Sequence, residues 1–279
     1  MLGFWRRREE HRMALASCLA SHEPLALLAE SAGNVGDGLI REGTRQLLAE
    51  AGLYCTEVSH DALPVHPTPQ TLVVRGCGGY DRHFHRFMPR IVLRASAVYR
   101  NVIILPSSFD PRQPEVSRCL EQPNVHAIAR DMQSYEALAP FGRRHAWMDC
   151  AVYHPRFRDD APSGSAGETL LVLRRDKASP LLMHGLQPAP AVNDDISVTA
   201  RTVKEWLDRI AGAGTVVTDR LHVALAAVLM GKKLVMVDPY DKKLSNSLAF
   251  VFGDELADRI MLQDVEWLAS QGLAVPLVA

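Results

Sequence analysis

Residues 214–246 read GTVVTDRLHVALAAVLMGKKLVMVDPYDKKLSN, and the pattern of this stretch decides the fold. Thr215-Val216-Val217 is a short apolar, β-branched run of the kind that forms a buried strand. Thr218 and Asp219 follow, and either suits the N-cap of a helix. The helix runs from Leu221 to Met230, apolar on nearly every face, with Gly231 at the C′ position where helices turn left-handed and stop. Leu234 to Val237 is a second apolar strand, ending in the polar loop Asp238-Pro239-Tyr240-Asp241-Lys242-Lys243. Strand, helix and strand make a βαβ unit. Arg220 and His222 then fall in the first helical turn, beside N–H groups without intrahelical partners and at the positive end of the dipole. Lys242 and Lys243 follow the C-terminal end of the next strand, the edge where open α/β sheets bind ligands. Positive groups gathered at a helix N-terminus make a trap for a small, multiply charged anion.

The chain has 279 residues, enough for one large α/β domain or two of ordinary size, and a formal net charge of −1. That charge provides no global field for nucleic acid, so any positive patch is local. Cys18, Cys55, Cys77, Cys119 and Cys150 are scattered and never form a C-x-x-C pair. They argue for a reducing cytoplasm and against a zinc site or a disulfide framework. No apolar run approaches the ~20 residues of a membrane span. The N-terminus imitates a signal peptide loosely, but Glu9 and Glu10 spoil its basic region. Leu2, Phe4 and Trp5 beside Arg6-Arg7-Arg8 suit contact with an anionic membrane surface; a disordered start and a docking helix are the other readings.

Pro24 to Ala29 reads as a buried strand, followed by Glu30-Ser31-Ala32-Gly33-Asn34-Val35-Gly36-Asp37-Gly38 and a helix from about Leu39 to Ala51. Glycines between strand and helix let backbone approach a ligand, although neither the G-x-G-x-x-G fingerprint nor a P-loop is present. A capping box is the alternative, with Asn34 as cap and Asp37 at N3. Thr71 to Val74 is a strand, and Arg75-Gly76-Cys77-Gly78-Gly79-Tyr80 opens the next loop with glycines. His83 and His85 lack a third ligand nearby and read as loop histidines. Asn101 to Leu105 is a strand ending in Pro106-Ser107-Ser108. Val125 to Ala129 is another, ending in Arg130-Asp131 before a helix from about Met132 to Ala139. Arg130 is one more cation at a strand end, or one half of a surface ion pair with Asp131 or a neighbour.

His154 to Glu168, rich in proline, glycine and charge, reads as a linker. It divides the chain into an N-terminal α/β domain, 1–158, holding the Asn/Asp loop, and a C-terminal α/β domain, 159–279, holding the Arg-Leu-His helix start. The second domain opens with a strand from Thr169 to Leu173, then a helix from Thr199 to Ala211 with Val203, Trp206, Leu207 and Ile210 on one face. A tail helix, about Val265 to Gln271, precedes an apolar end that docks on the body. Two alternating α/β halves predict two parallel-sheet, Rossmann-like domains facing a cleft.

Several of these stretches together resemble the polysaccharide pyruvyl transferase family. They are Gly33-Asn34-Val35-Gly36-Asp37, Gly76 to Gly79, Ile104 to Ser108, Ala129-Arg130-Asp131 with Ser134, Tyr135 and Leu138, and above all Thr218-Asp219-Arg220-Leu221-His222 with Gly231 and Tyr240-Asp241-Lys242. Their order covers about residues 25 to 250. The resemblance implies the two-Rossmann architecture of GT-B-type glycosyltransferases. It also implies transfer of a pyruvyl group from phosphoenolpyruvate, the donor substrate, onto two hydroxyls of a sugar, making a cyclic ketal, with no cofactor. The acceptor would be a sugar or lipid-linked oligosaccharide of a bacterial exopolysaccharide or cell-surface glycan, handled in the cytoplasm or at the inner membrane face.

The same resemblance puts Arg220, Leu221, His222 and Arg130 around the donor with Lys242 or Lys243, and puts Gly33, Asn34 and Gly36 in the Asn/Asp loop. Gly78, Gly79 and Ser107 line the other strand-end loops, Ser107 standing where many members have Gln. His222, Asp37 and Arg220 are the catalytic candidates, Asp37 as a base for the acceptor hydroxyl. His222 either binds phosphate or moves a proton. No metal is expected, because no His/Cys/Asp set has ligand spacing. Other readings of the chain are a glycosyltransferase using a nucleotide sugar and a non-catalytic anion- or glycan-binding protein.

Overall fold

A computed structural model describes residues 1–29, 33–84, 86–142, 144–157, 167–238, 242–256 and 260–277, without the side chains of Lys243, Asp254 and Leu256. His85, Glu30 to Ala32, the middle of the expected linker, and Pro239-Tyr240-Asp241 therefore lie outside the described residues. The chain divides into two compact units, one of Met1–Ala32 with Ile40–Pro155 and one of Gly33–Leu39 with Arg156–Ala279. The second unit is thus discontinuous. The Asn/Asp loop, read from sequence with the first half, groups by its contacts with the second.

The first unit is built on a six-stranded sheet of β1 (Leu25–Leu28), β2 (Cys55–Glu57), β3 (Thr68–Val74), β4 (Tyr99–Ser107), β5 (Val125–Ala129) and β6 (His145–Ala146). All pairings are parallel and the order is β2-β1-β3-β4-β5-β6. The chain runs outward from β1 to β2 and returns to β3 on the other side. The topological switch point therefore lies between β1 and β3, where such sheets open a crevice at their carboxyl edge. Central strands are buried throughout, as in Ile103, Ile104 and Leu105 with no exposed surface. Its helices are α1 (Leu2–Ala20), α2 (Asp37–Glu50), whose first residues to Leu39 group with the second unit, α3 (Phe87–Ser96), α4 (Pro114–Leu120) and α5 (Met132–Ala137). Met88, Ile91 and Val92 of α3 and Val116 of α4 join Leu72, Val74 and Ile104 in one apolar core.

The N-terminus forms a docking helix, and contact with a membrane surface is a separate matter. Phe4, Leu15 and Leu19 of α1 are completely buried, and the Arg8 side chain donates to the Val152 carbonyl at 3.0 Å. Among the described residues no helix is long and apolar enough to cross a membrane.

The second unit holds β7 (Thr169–Val172), β8 (Leu186–Pro188), α6 (Ile196–Thr199), α7 (Val203–Gly212), β9 (Thr215–Thr218), α8 (Leu221–Leu229), β10 (Lys233–Val237), α9 (Lys243–Phe252), β11 (Ile260–Gln263), α10 (Val265–Ser270) and β12 (Ala274–Pro276). Four strands form a parallel sheet in the order β11-β10-β9-β7, and β12 pairs antiparallel with β8. The expected βαβ unit is β9-α8-β10, its strands parallel and in register from Thr215 against Lys233. Every residue of α8 from Val223 to Leu229 is buried, which accounts for its apolar circumference. Gly231 has φ 71°, so the helix stops where a residue without Cβ adopts the left-handed turn.

Three expectations need correction. Neither Thr218 nor Asp219 is the N-cap of α8; Arg220 is, and its side chain makes no capping bond. Thr218 Oγ1 instead donates to the Val172 carbonyl at 2.7 Å and accepts from the Arg220 N–H at 3.0 Å, tying the end of β9 to β7. The helix expected from Thr199 begins at Val203, because Thr202 caps it by accepting from the Glu205 N–H at 3.1 Å. The apolar tail contains a strand, β12, rather than only a docked end.

Candidate functional site

The carboxyl edge of the second sheet gathers the ends of β7, β9 and β10. At the end of β9 stands Arg220, 5% exposed. Its Nη2 donates to Asp195 Oδ2 at 2.5 Å and lies 3.7 Å from Asp176 Oδ2. Asp195 precedes α6 in the N-cap position yet makes no side-chain cap, its carboxylate being used on Arg220. Asp176 in turn is gripped by Arg174, Nε to Oδ1 at 3.1 Å and Nη2 to Oδ2 at 3.1 Å. Burial works against the Asp176 charge, and Arg174 outweighs it, so the carboxyl stays below the ordinary range.

Asp219 is completely buried, and its Oδ1 accepts the Arg174 N–H at 2.9 Å. Burial pushes its pKa up to about 7 against the pull of Arg174 and Arg220, with Asp195 adding to the rise. Among the described residues, Arg174 and Arg220 at this corner are therefore balanced by Asp176, Asp195 and Asp219. These three acids were not singled out as site residues from the sequence. The only available signal was an acid directly before Arg220 and two more after preceding strands, a weak one.

His222 is the second residue of α8, and its Nδ1 lies 3.7 Å from Asp37 Oδ1, with side chains 12% and 22% exposed. Two of the three catalytic candidates, His222 and Asp37, are thus neighbours. Asp37 is held by its other oxygen, since Oδ2 accepts the Asn34 N–H at 2.9 Å, while Asn34 Oδ1 accepts the Gly36 N–H at 2.9 Å. This is one half of the capping-box alternative, since Asn34 Oδ1 bonds Gly36 and α2 starts at Asp37 itself, and it leaves Asp37 Oδ1 turned to His222. Val35 N–H donates to the Ser197 carbonyl at 3.2 Å, fixing the loop to α6. A Cβ on Gly33 would stand 2.3 Å from Asp37 Oδ2, so glycine there lets the Asp37 carboxylate fold back on the loop. Leu221 opens α8, half-buried, between Arg220 and His222.

At the end of β10, Asp238 caps α9, accepting from the Leu244 N–H at 3.0 Å and the Ser245 N–H at 3.2 Å. Lys242 is exposed and left-handed, φ 52° and ψ 27°, in the N-cap position of α9. The Lys243 side chain lies outside the described residues.

The first unit has its own strand-end cluster. Arg130, 3% exposed, donates through Nη1 to Asp149 Oδ2 at 2.8 Å and through Nε to Ser108 Oγ at 2.9 Å. The surface ion pair considered for it is a buried one, with Asp149 and not Asp131. Burial penalises the guanidinium charge, and Asp149 and Asp131 more than offset this, so its pKa is raised. Asp131 caps α5 through the Ser134 N–H at 2.7 Å and accepts from Ser108 Oγ at 3.0 Å. Ser107 Oγ accepts the Cys77 N–H at 3.0 Å and donates to the Leu105 carbonyl at 2.8 Å, closing the loop after β3 against β4. Gly79 is packed there, its missing Cβ making room for Met88 Cγ, which would lie at 2.5 Å, and Gly78 beside it is half-buried.

Arg220, Leu221 and His222 stand inside the segment that the comparison with known families picks out. Residues 169–241 match the family model of polysaccharide pyruvyl transferase. The resemblance read from the sequence holds over this segment, which contains β7 to β10 and the corner around Arg220. No curated protein matches the chain. Among solved structures, a functionally uncharacterised protein of Klebsiella pneumoniae subsp. pneumoniae is similar over 90% of this chain and 98% of that one, with a TM-score of 0.73 at 17% identity. At that identity the likeness shows the fold, a mixed α/β architecture with parallel sheets.

Proposed function

We propose that this chain is a ketal pyruvyltransferase that takes the pyruvyl group from phosphoenolpyruvate and closes it across two hydroxyls of a cell-surface glycan precursor. The observation that carries this reading is the Arg220-Leu221-His222 helix start within the matched segment, with His222 3.7 Å from Asp37 and Arg220 buried beside it. Phosphoenolpyruvate bears a carboxylate and a phosphate, and the planar fork of Arg220 suits either group. A general acid of the site protonates the donor's methylene carbon, making it a methyl group and leaving an oxocarbenium-like carbon. One sugar hydroxyl attacks that carbon and loses its proton. A second hydroxyl then takes the place of the departing phosphate. Asp37 and His222 are assigned the proton transfers at the two hydroxyls; Gly33, Asn34 and Gly36 hold Asp37 in place. Lys242 or Lys243 adds positive charge at the donor, and Arg130, Gly78, Gly79 and Ser107 are assigned to the same reaction. A GT-B-like pairing of the two sheets, a cytoplasmic location, a lipid-linked acceptor and independence from metal belong to the same proposal.

The test is release of phosphate from phosphoenolpyruvate in the presence of glycan acceptors, with His222→Gln and His222→Ala alongside. Gln keeps a hydrogen-bonding side chain but exchanges no proton near neutral pH. A proton-transfer role predicts Gln with donor affinity within a few-fold and turnover lower by ~10² or more. Both variants turning over like the parent would remove His222 from the site. A second reading, a non-catalytic glycan-binding protein, is favoured by the charge balance around Arg220, since carboxylates with arginines are good partners for neutral hydroxyls. It predicts glycan binding with no phosphate released. Turnover of a nucleotide sugar would instead mark a glycosyltransferase.

A further inference from the structure

Among the described residues, three buried polar atoms at the β9-α8 corner have no hydrogen-bond partner: Nε of Arg220, Oδ1 of Asp195 and Oδ2 of Asp219. The three residues are 5%, 6% and 0% exposed, and their charges act on one another. Native interiors leave few such atoms unbonded, so several around one guanidinium mark a place completed by something bound. An anion bonded to Arg220 Nε would lie among the carboxylates of Asp176, Asp195 and Asp219. Repulsion between like charges at that range is strong enough to move a proton. A hydrogen on one of those oxygens would remove the repulsion and turn an acceptor into a donor aimed at the anion.

Asp219 is the residue suited to hold it. Asp195 already bonds Arg220 through Oδ2, and Asp176 bonds Arg174 through both oxygens. Asp219 Oδ1 is occupied by the Arg174 N–H, which leaves Oδ2, the unpartnered atom, as the position for a proton. We propose that Asp219 is the proton-holding residue of the donor site, its Oδ2 hydrogen bonding the anion held by Arg220, so that binding draws in one proton whenever Asp219 starts ionised. Asp195 is the positioning residue that keeps the guanidinium in place. The charged groups acting on Asp219 are Arg174 after β7, Asp195 before α6 and Arg220 itself, and Asp176 faces Arg174 and Arg220. Burial already favours the neutral form of Asp219, which lowers the cost of this uptake.

This inference rests on the donor assignment above, and one experiment separates the two. Phosphoenolpyruvate is titrated calorimetrically into the full-length protein at about pH 8, in two buffers of different protonation enthalpy. The expected result is uptake of about one proton per donor bound, and affinity falling roughly tenfold per pH unit above about pH 7.5. The second ionisation of a phosphate monoester lies near ~6, so the donor itself is fully ionised under these conditions. Asp219→Asn keeps the shape of the neutral acid and is expected to bind with no uptake and no pH slope. Binding by the parent protein without uptake, or undiminished uptake by Asp219→Asn, overturns this inference alone. Should Asp219→Asn fail to fold, the proton count and slope of the parent protein still decide. Absence of binding at about pH 6 as well as about pH 8 overturns the donor assignment, and this inference with it.

Discussion

Arg220 is at once a ligand candidate and the partner of a buried carboxylate, and its truncation will report both. Arg220→Ala is expected to weaken phosphoenolpyruvate binding by about 1.5–3 kcal/mol, the worth of a charged hydrogen bond. It should also destabilise the fold by about 3–5 kcal/mol, because Asp195 is left buried and unpaired. Calorimetry and thermal melts on the same samples separate the two, and Arg220→Lys should recover charge but not the fork. Arg130→Ala removes the buried cation paired with Asp149, so a melt must accompany any binding measurement there. Asp219 adds a pH dependence of defined sign. Its folded pKa, about 7, lies above the ordinary 3.8, so its contribution to stability is fully present below about pH 4 and is lost as pH rises through about 7. Asp219→Asn should abolish that falling slope in denaturant titrations; an unchanged slope would assign it to other groups. Arg220 and His222 could be read from the sequence because charged side chains interrupt an apolar strand-helix run. Asp176 and Asp195 could not, since their meeting with Arg220 is made by tertiary packing across 44 and 25 positions of the chain.

Elements built on a clean apolar period were legible, and those begun by an unusual cap were not. β9-α8-β10 follows its sequence pattern almost residue for residue, because burial on all sides demands continuous apolar runs. α9 does not stand out in the sequence, although Leu244, Leu248, Val251 and Phe252 are spaced for one face and buried. Its start is disguised as loop: Asp238 reaches across to cap it, and Lys242 takes a left-handed conformation at the N-cap. Asp238→Ala should cost about 1 kcal/mol through loss of the cap, and should disturb Lys242 with it. Lys242→Gly relieves a conformation that costs a residue with Cβ about 1 kcal/mol or more. It is expected to melt higher than the parent while binding phosphoenolpyruvate more weakly. A gain in stability with unaltered binding would remove Lys242 from the donor site.

The whole molecule is two parallel-sheet units, and the sequence gives away their number more readily than their membership. A change of composition marks one cut near residue 158, close to the division after Pro155. It cannot reveal that Gly33–Leu39 belongs with the far side of that cut, because no local pattern encodes a contact made more than 150 positions away. A fragment of residues 156–279 would lack the Val35 bond to Ser197 and the Asp37 neighbour of His222. It is expected to melt below the full chain, and adding a peptide of residues 33–39 should raise that melting temperature; a fragment as stable as the full chain would deny the loop its role. The ion pair of Arg220 with Asp195 has a bearing on inheritance as well. A lineage losing Arg220 would carry a stranded acid in its interior, and selection would favour replacement of Asp195 soon after. Among descendants of a common ancestor the two positions should therefore change together, and a suppressor screen begun from Arg220→Ala should return substitutions at Asp195.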